Sequence, residues 1–223
     1  MVAPIGKPTG VHRESVLREA IGDKYDAIEL DNLILDIRNG ISDKPNGGND
    51  DEKILQISSV RPFNVDLKKH RYIVNEEKFD KYYLENGDLL ITRYNGTRAF
   101  VGVAGLFISK EKFFYPDKLI RVRVDQKKVL AAYLMYAINS GSSRQFLEGR
   151  IRTTAGQSGI SGRDIKQTPI PLPSLPEQHR IVSEIESRLS VAEALEREVA
   201  GALARAEGLR MGVLRRAFAG ELV

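Results

Sequence analysis

The sequence predicts an α+β fold, in which a globular domain with a mixed sheet is followed by one long C-terminal α-helix. Short apolar segments separated by turn sequences fill the first part of the chain, a pattern typical of sheets. A proline cluster then precedes a proline-free stretch rich in Glu, Arg, Ala and Leu. Of the 223 residues, 42% are hydrophobic, which is enough for a sizeable core.

Turn sequences divide the first part into candidate strands. Asn39-Gly40 ends the first apolar segments, and Asn86-Gly87-Asp88 opens a strongly apolar one. Residues 129–138 have the spacing and length of a helix. The predicted strands are 28–30, 33–35, 54–60, 71–74, 89–93, 101–108 and 119–124.

The C-terminal helix is predicted from its start signal and its periodicity. Four prolines within 169–176 force an extended segment. Ser174 and Glu177 then fit a capping box. A helix of about 40 residues spans roughly 60 Å and needs a partner for its apolar stripe. The stripe has the three- and four-residue steps of a coiled coil.

Composition excludes several classes of function. The chain has no cysteine, which removes thiolate nucleophiles, cysteine-ligated zinc and iron–sulfur clusters. The longest apolar run, 100–108, is far shorter than the ~20 residues of a membrane span, and residues 1–14 lack the apolar core of a secretory signal. We therefore expect a cytoplasmic protein that does not contact a membrane.

The basic charge lies in the first part of the chain. Residues 1–176 contain 27 Lys and Arg against 22 Asp and Glu, whereas residues 177–223 contain seven Arg against eight Glu. This distribution is expected if the first part meets a polyanion, although it also fits an ordinary solvated surface.

Signatures of catalysis are mostly missing from the sequence. It contains no phosphate-binding loop of the Gly-x-x-x-x-Gly-Lys type, no Gly-x-Ser-x-Gly elbow and no His-Glu-x-x-His motif. One arrangement resembles a nuclease site, because Asp66 precedes Glu76 and Lys78 at a spacing that could surround Mg²⁺. A metal-dependent endonuclease is therefore the alternative function.

Three polar segments offer side chains suited to DNA. Arg and Asn match the edges of guanine and adenine, and hydroxyl groups suit phosphates. The segments are the loop 42–51, residues 92–98 and residues 150–158, each of which could equally be a solvated turn. The candidate DNA-contacting residues are Lys44, Arg93, Asn95, Thr97, Arg98, Arg150, Arg152, Thr154, Gln157 and Ser158.

The order of motifs resembles the specificity subunit of type I restriction-modification systems. The runs that carry the resemblance are Gly159-Ile-Ser-Gly-Arg-Asp-Ile165, Thr168-Pro-Ile-Pro-Leu-Pro-Ser-Leu-Pro-Glu-Gln178, Arg180-Ile-Val-Ser-Glu-Ile-Glu186, Leu214-Arg-Arg-Ala-Phe-Ala-Gly-Glu-Leu222 and, in the recognition segment, Gly87-Asp-Leu-Leu-Ile-Thr-Arg93. The resemblance covers roughly residues 25–223. It implies an N-terminal extension (1–24), a target recognition domain (25–173) and a conserved helical spacer (174–223).

The resemblance also implies a function and partners. Such a chain is not catalytic and has no cofactor of its own. It reads one half of a bipartite target in double-stranded DNA and binds a methyltransferase subunit, which holds S-adenosylmethionine. The restriction subunit joins through the complex.

The chain departs from the family pattern in length. The family normally carries two recognition domains and two spacer helices, whereas this chain has one of each, as in a half-subunit or a fragment. A second copy could supply the missing helix in an antiparallel homodimer. A purely structural coiled-coil adaptor is a further alternative. The predicted dimerisation residues are Val182, Ile185, Leu189, Leu195, Val199, Ala202, Ala206, Leu209 and Val213.

Overall fold

Five α-helices, four short 3-10 helices and fourteen short strands lie in the part of the chain that the computed structural model describes, residues 10–22 and 24–219. The helices are α1 (Gly10–Ala20), α2 (Ala131–Ile138), α3 (Gly141–Arg150), α4 (Gly162–Lys166) and α5 (Leu175–Phe218). The strands are β1 (Ala27–Glu29), β2 (Ile34–Asn39), β3 (Glu52–Leu55), β4 (Val60–Arg61), β5 (Asn64–Val65), β6 (His70–Ile73), β7 (Leu89–Thr92), β8 (Tyr94–Asn95), β9 (Ala104–Leu106), β10 (Phe113–Phe114), β11 (Leu119–Val124), β12 (Arg152–Thr154), β13 (Gln157–Gly159) and β14 (Pro169–Pro171). The predicted α+β fold is confirmed.

The largest sheet has the strand order β2-β11-β7-β9, and each neighbouring pair is antiparallel. All four residues of β7 are buried, which explains its unbroken apolar sequence. The strand predicted at 119–124 is confirmed as β11 with the same ends, and β7 begins directly after the predicted turn at Asp88.

Two arginines of β11 are part of this sheet's polar interior. Arg121 is only 2% exposed and donates to main-chain carbonyls and to Asp36. Burial raises the pKa of Asp36, but the hydrogen bond and charge of Arg121 outweigh that effect and leave the pKa below its usual value. Arg123 pairs with Asp88 at 2.9 Å and with Glu85 at 2.7 Å. These cations are therefore structural.

Smaller sheets complete the compact unit formed by Leu17–Val182. Strands β10, β3 and β6 form one sheet in which β10 and β3 are parallel, and β4 and β5 form a hairpin. The predicted extended proline segment is confirmed as β14, which pairs with β1. A two-stranded pair tolerates proline because the missing N–H can face away from the ladder.

The start of α5 is fixed by a buried amide. Gln178 is fully buried; its Oε1 accepts from the Leu130 amide at 2.8 Å, and its Nε2 donates to the carbonyls of Lys128 (3.1 Å) and Pro173 (2.9 Å). Both amide hydrogens and one lone pair of the amide oxygen are thus engaged between the proline segment and α2. Gln178, the last residue of the 168–178 run that carries the family resemblance, thus has a structural role.

The predicted helix at 174–223 is confirmed as α5 over its described length, but the predicted capping box is wrong. The Glu177 carboxylate accepts from the Tyr25 hydroxyl at 2.9 Å and from Arg180 at 2.7 Å instead of from the first-turn amides. The Arg180 hydrogen bond, followed by that of Tyr25, lowers the pKa of Glu177 to about 2.

The second compact unit contains α5 from Ser183 onward and α1 as far as Val16. Within it, Arg13 lies 4.0 Å from Glu193. The predicted apolar seam divides in two. Ile185 and Leu189 are buried within the chain, whereas the seam positions from Leu195 onward are exposed.

Several elements were not predicted. Helix α1 lies in the predicted N-terminal extension, and α3 was not expected. The segment predicted as a loop at 150–158 instead contains the end of α3 and most of the strand pair β12 and β13. The domain boundaries at 24/25 and 173/174 stay a prediction. Among the described helices, none combines a bilayer-spanning length with a sufficiently apolar sequence.

Candidate nucleic-acid interface

Two of the predicted polar segments meet in one small sheet. Its strand order is β12-β13-β8, and both pairs are antiparallel. Ser158 lies opposite Asn95, and Gly159 lies opposite Tyr94. Segments that are far apart in sequence therefore share one surface.

Strands β12 and β13 form a tight, exposed hairpin. Its two turn residues, Ala155 and Gly156, have φ angles of 48° and 76°. Positive φ at both positions is the turn geometry that matches the twist of paired strands. Thr154 and Gln157 flank the turn as a strand pair, and both side chains are exposed. The hairpin thus presents polar side chains at its tip.

A concave surface of about 770 Å³ lies beside this sheet, and its charge is strongly positive. Among the described residues that line it, four arginines face one carboxylate. Its polar and charged lining includes Arg93, Tyr94, Arg150, Arg152, Thr154, Gln157, Ser161, Arg163, Asp164 and Gln167.

The four arginines differ in what holds them. The Arg93 guanidinium lies over the Tyr94 ring, and that of Arg150 lies over Phe146. Arg152 and Arg163 are exposed, and no described residue forms an ion pair or hydrogen bond with either side chain. The concavity therefore contains two arginines on aromatic rings and two extended into solvent.

Two predicted contact residues are engaged in the fold. The Arg98 guanidinium donates to the carbonyls of Ile151 and Glu148, both at 2.9 Å, and so caps the end of α3. Ser158 is only 2% exposed, and its hydroxyl lies 2.9 Å from that of Thr153. These contacts hold both side chains through the fold. Arg98 is nevertheless exposed, and a DNA contact by either residue stays a prediction.

Other predicted residues remain accessible. Thr97 is exposed, and its amide donates to the Asn95 Oδ1 at 2.9 Å, which fixes the Asn95 side chain. Lys44 is exposed but lines a different concavity, of about 560 Å³, together with Arg71 and Lys118. The two concavities are linked through the main chain, because the Lys118 carbonyl accepts from the amides of Arg93 (2.8 Å) and Tyr94 (3.3 Å), which line the first one.

Arg163 was not predicted, although it lies in the Gly159–Ile165 run. The Ser161 hydroxyl accepts from the Asp164 amide at 3.1 Å and caps α4, which places Arg163 in the first turn. The Ser-x-x-Asp spacing is the sequence signal that could have located this turn.

The predicted nuclease residues do not form a metal site. Lys78 pairs with Asp43 at 3.0 Å and with Glu76 at 3.1 Å, whereas Asp66 pairs with Lys69 at 3.5 Å. In the part of the chain that the structure describes, no group of three or more His, Asp or Glu side chains could hold a metal ion. The nuclease alternative therefore gains no support.

Comparisons with known proteins agree with this picture. The sequence model described as "Type I restriction modification DNA specificity domain" matches residues 37–199. The chain is 40% identical over 201 residues to the type I restriction enzyme EcoKI specificity subunit of Escherichia coli (strain K12), covering 89% of this chain and 43% of the relative. It is 32% identical over 203 residues to the StySPI specificity subunit of Salmonella potsdam, with the same coverage.

A solved structure shares the fold. The HsdS subunit from Thermoanaerobacter tengcongensis superposes with a TM-score of 0.61 at 20% identity, over 95% of this chain and 51% of that chain. The chain thus spans less than half the length of the curated relatives and about half of this structure.

The resemblance predicted from the motifs is confirmed by a match over more than half of the chain. The family description names DNA specificity and not catalysis, as expected for a recognition subunit. By its sequence match and its fold, this chain belongs to the type I restriction-modification DNA specificity domain family.

Proposed function

We propose that this chain reads one half of a bipartite target in double-stranded DNA, as the specificity component of a type I restriction-modification complex. The observation that carries the proposal is the concavity in which four arginines face a single aspartate beside an exposed polar hairpin. Such a surplus of cations has a polyanion as its natural partner.

The hairpin suits the major groove. That groove is about 12 Å wide and admits a two-stranded ribbon. Thr154 and Gln157 at the tip would approach base edges, because Gln pairs with adenine and Thr contacts either base or phosphate. Arg152, one pair further from the turn, lies within the same ribbon.

The partners follow from the proposed function. A specificity chain of this family needs a methyltransferase subunit that binds S-adenosylmethionine, and it reaches the restriction subunit through that complex. The family description and the named relatives support this assignment. The complex works on DNA, so the cytoplasm remains the expected compartment.

An antiparallel homodimer would complete the target. On the described part of α5, Leu195, Val199, Leu209 and Val213 are 55–72% exposed. Ala202 and Ala206 continue the same face and are also exposed. A second copy that covers this stripe would bury its apolar surface, and this burial would stabilise the dimer by roughly 25 cal/mol for each Å² of apolar surface.

The buried part of the seam is excluded from that interface. Ile185 and Leu189 are already covered within the chain, and Val182 is half-buried, so we place the contact from Leu195 onward. A homodimer with twofold symmetry would read two inverted half-sites separated by a gap. If the chain is a fragment, the second half of the longer subunit would cover the same stripe.

Selection from a randomised DNA library tests the recognition step. The full chain, with the methyltransferase subunit present, should enrich one defined half-site. Arg152→Ala should weaken binding by about 1–3 kcal/mol if Arg152 reads a base, and should weaken all sequences alike if it contacts a phosphate.

Arg18→Ala is the matched control, since Arg18 is exposed on α1 outside the concavity. It should bind as the wild type does. A wild-type chain that enriches no sequence would refute the proposed function, and equal affinity in the Arg152 variant would remove the hairpin from the interface.

A further inference from the structure

Two arginines of the concavity lie against aromatic rings. The Arg93 Cζ is 4.8 Å from the centroid of the Tyr94 ring, and the Arg150 Cζ is 3.7 Å from the centroid of Phe146. A guanidinium attracted to a ring face loses freedom of movement before any ligand arrives.

The Tyr94 ring is itself fixed by the small sheet. A Cβ atom at Gly159 would lie 2.4 Å from both Cδ1 and Cε1 of this ring. The ring therefore occupies the space above the facing glycine of β13, where any larger residue would displace it. Phe146 lies on α3 and is half-buried.

The Nε atoms of the two stacked arginines are unavailable to a ligand. The Arg150 Nε lies 3.4 Å from the Asp164 carboxylate, whose other oxygen accepts from the Ser161 hydroxyl at 2.5 Å. The Arg93 Nε is buried, and no described atom accepts its proton. Each arginine is thus left with its pair of terminal nitrogens as the donors for a ligand.

A pair of terminal guanidinium nitrogens has a specific partner on DNA. It matches the O6 and N7 acceptors that guanine presents in the major groove. Holding the fork in place beforehand reduces the entropy lost on binding, which favours base reading over loose phosphate contact. Among the described residues, no ring stacks on the guanidinium of Arg152 or Arg163 and no carboxylate pairs with it, so both suit phosphates.

We propose that Arg93 and Arg150 each read a guanine of the half-site through O6 and N7, with Tyr94 and Phe146 as their positioning residues. The inference rests on the proposed function and assigns the base that the concavity recognises.

The test begins with the half-site that the full wild-type chain selects with its methyltransferase subunit. Arg93→Lys and Arg150→Lys keep the charge but lose the fork. Each variant should lower the preference for guanine by about 10- to 100-fold at one position of the half-site. The affected position should differ between the two variants. Arg18→Lys, a charge-conserving change on the exposed surface of α1 outside the concavity, is the matched control and should leave the motif unchanged.

Modified bases test the same contacts from the DNA side. Replacing a selected guanine with 7-deazaguanine removes N7 and should weaken wild-type binding about 10-fold or more, whereas inosine keeps O6 and N7 and should bind as guanine does. The lysine variant that lost preference at that position should distinguish the guanine and 7-deazaguanine sites less than the wild type does, because its ammonium group cannot bond O6 and N7 with the fixed fork of a guanidinium.

The positioning role is tested by ring replacement. Tyr94→Phe keeps the ring and should preserve the motif, whereas Tyr94→Leu should lower guanine preference only at the position read by Arg93. Phe146→Tyr should likewise preserve the motif, whereas Phe146→Leu should lower guanine preference only at the position read by Arg150. If the leucine variants instead weaken binding to all DNA sequences alike, the two rings have only a structural role, and their proposed positioning of the arginines is overturned.

The two proposals fail in different ways. If the wild-type chain selects no sequence, the proposed function fails. If it selects a half-site that lacks guanine, or if both lysine variants keep the wild-type motif, only the present inference is overturned.

Discussion

Replacing Gln178 by leucine should weaken the attachment of α5 to the domain. Leucine is close to glutamine in size, so the change removes hydrogen bonds without leaving a large cavity. The fully buried amide of Gln178 makes three bonds to the main chain, at 2.8, 2.9 and 3.1 Å. All three main-chain groups would lose this partner.

The magnitude follows from those three groups. The Leu130 amide would become a buried donor without an acceptor, which costs about 1–3 kcal/mol. Each of the two carbonyls would lose one bond worth about 1 kcal/mol. We expect the free energy of unfolding to fall by about 3–5 kcal/mol, which corresponds to a melting temperature about 6–20 °C lower for a chain of this size.

Scanning calorimetry measures the effect, and Gln145→Leu is the matched control. Gln145 lies on the exposed surface of α3, where the same substitution should change the free energy of unfolding by no more than about 0.5 kcal/mol. Equal melting temperatures for the two variants would refute the argument that the Gln178 amide holds the helix start.

Three further changes probe the helix, its first turn and a tight turn. Replacing Leu195 and Val199 by Glu should convert a dimer to a monomer in sedimentation, because charge enters the exposed seam; a wild-type monomer at tens of micromolar would contradict the dimer. The pKa of Glu177 is about 2 in the folded chain, so its contribution to stability is complete above about pH 4.5 and disappears as the pH falls toward 2. Glu177→Gln should therefore flatten the pH dependence of the free energy of unfolding in this range, and an unchanged profile would refute the role of the Glu177 carboxylate. Gly40→Ala would place a Cβ 2.2 Å from a main-chain oxygen and should lower stability in urea by about 1–3 kcal/mol, whereas Gly149→Ala, which meets no atom within 4 Å, should not; equal effects would contradict the close approach.

The elements that the sequence predicted best depend on local signals. Helix α5 could be located because a proline cluster, a proline-free stretch and a helical apolar period all lie within one segment. Strand β11 was predicted with both ends because arginines alternate with valines after its first two apolar residues, a two-residue period typical of a strand. The family, too, was recognisable from short linear motifs.

The capping box failed although its spacing was right. Glu177 is drawn to Tyr25, which is 152 residues away in sequence, and to Arg180 within its own helix. A distant partner outcompeted the local amides, and no local pattern shows that partner. The seam was likewise predicted as continuous, but only its later part is exposed.

Sequence alone thus determined the fold class, the long helix and the family of this protein, because periodicity, proline and short motifs act within a few residues of one another. Tertiary structure decided which polar side chains share a surface. Arg98, 50 residues from Glu148, is held by the end of α3, whereas Arg163, which was not among the predicted contact residues, lines the concavity. The physical reason is that a guanidinium's role is set by the carbonyls, carboxylates and rings around it, and folding brings these together from distant parts of the chain.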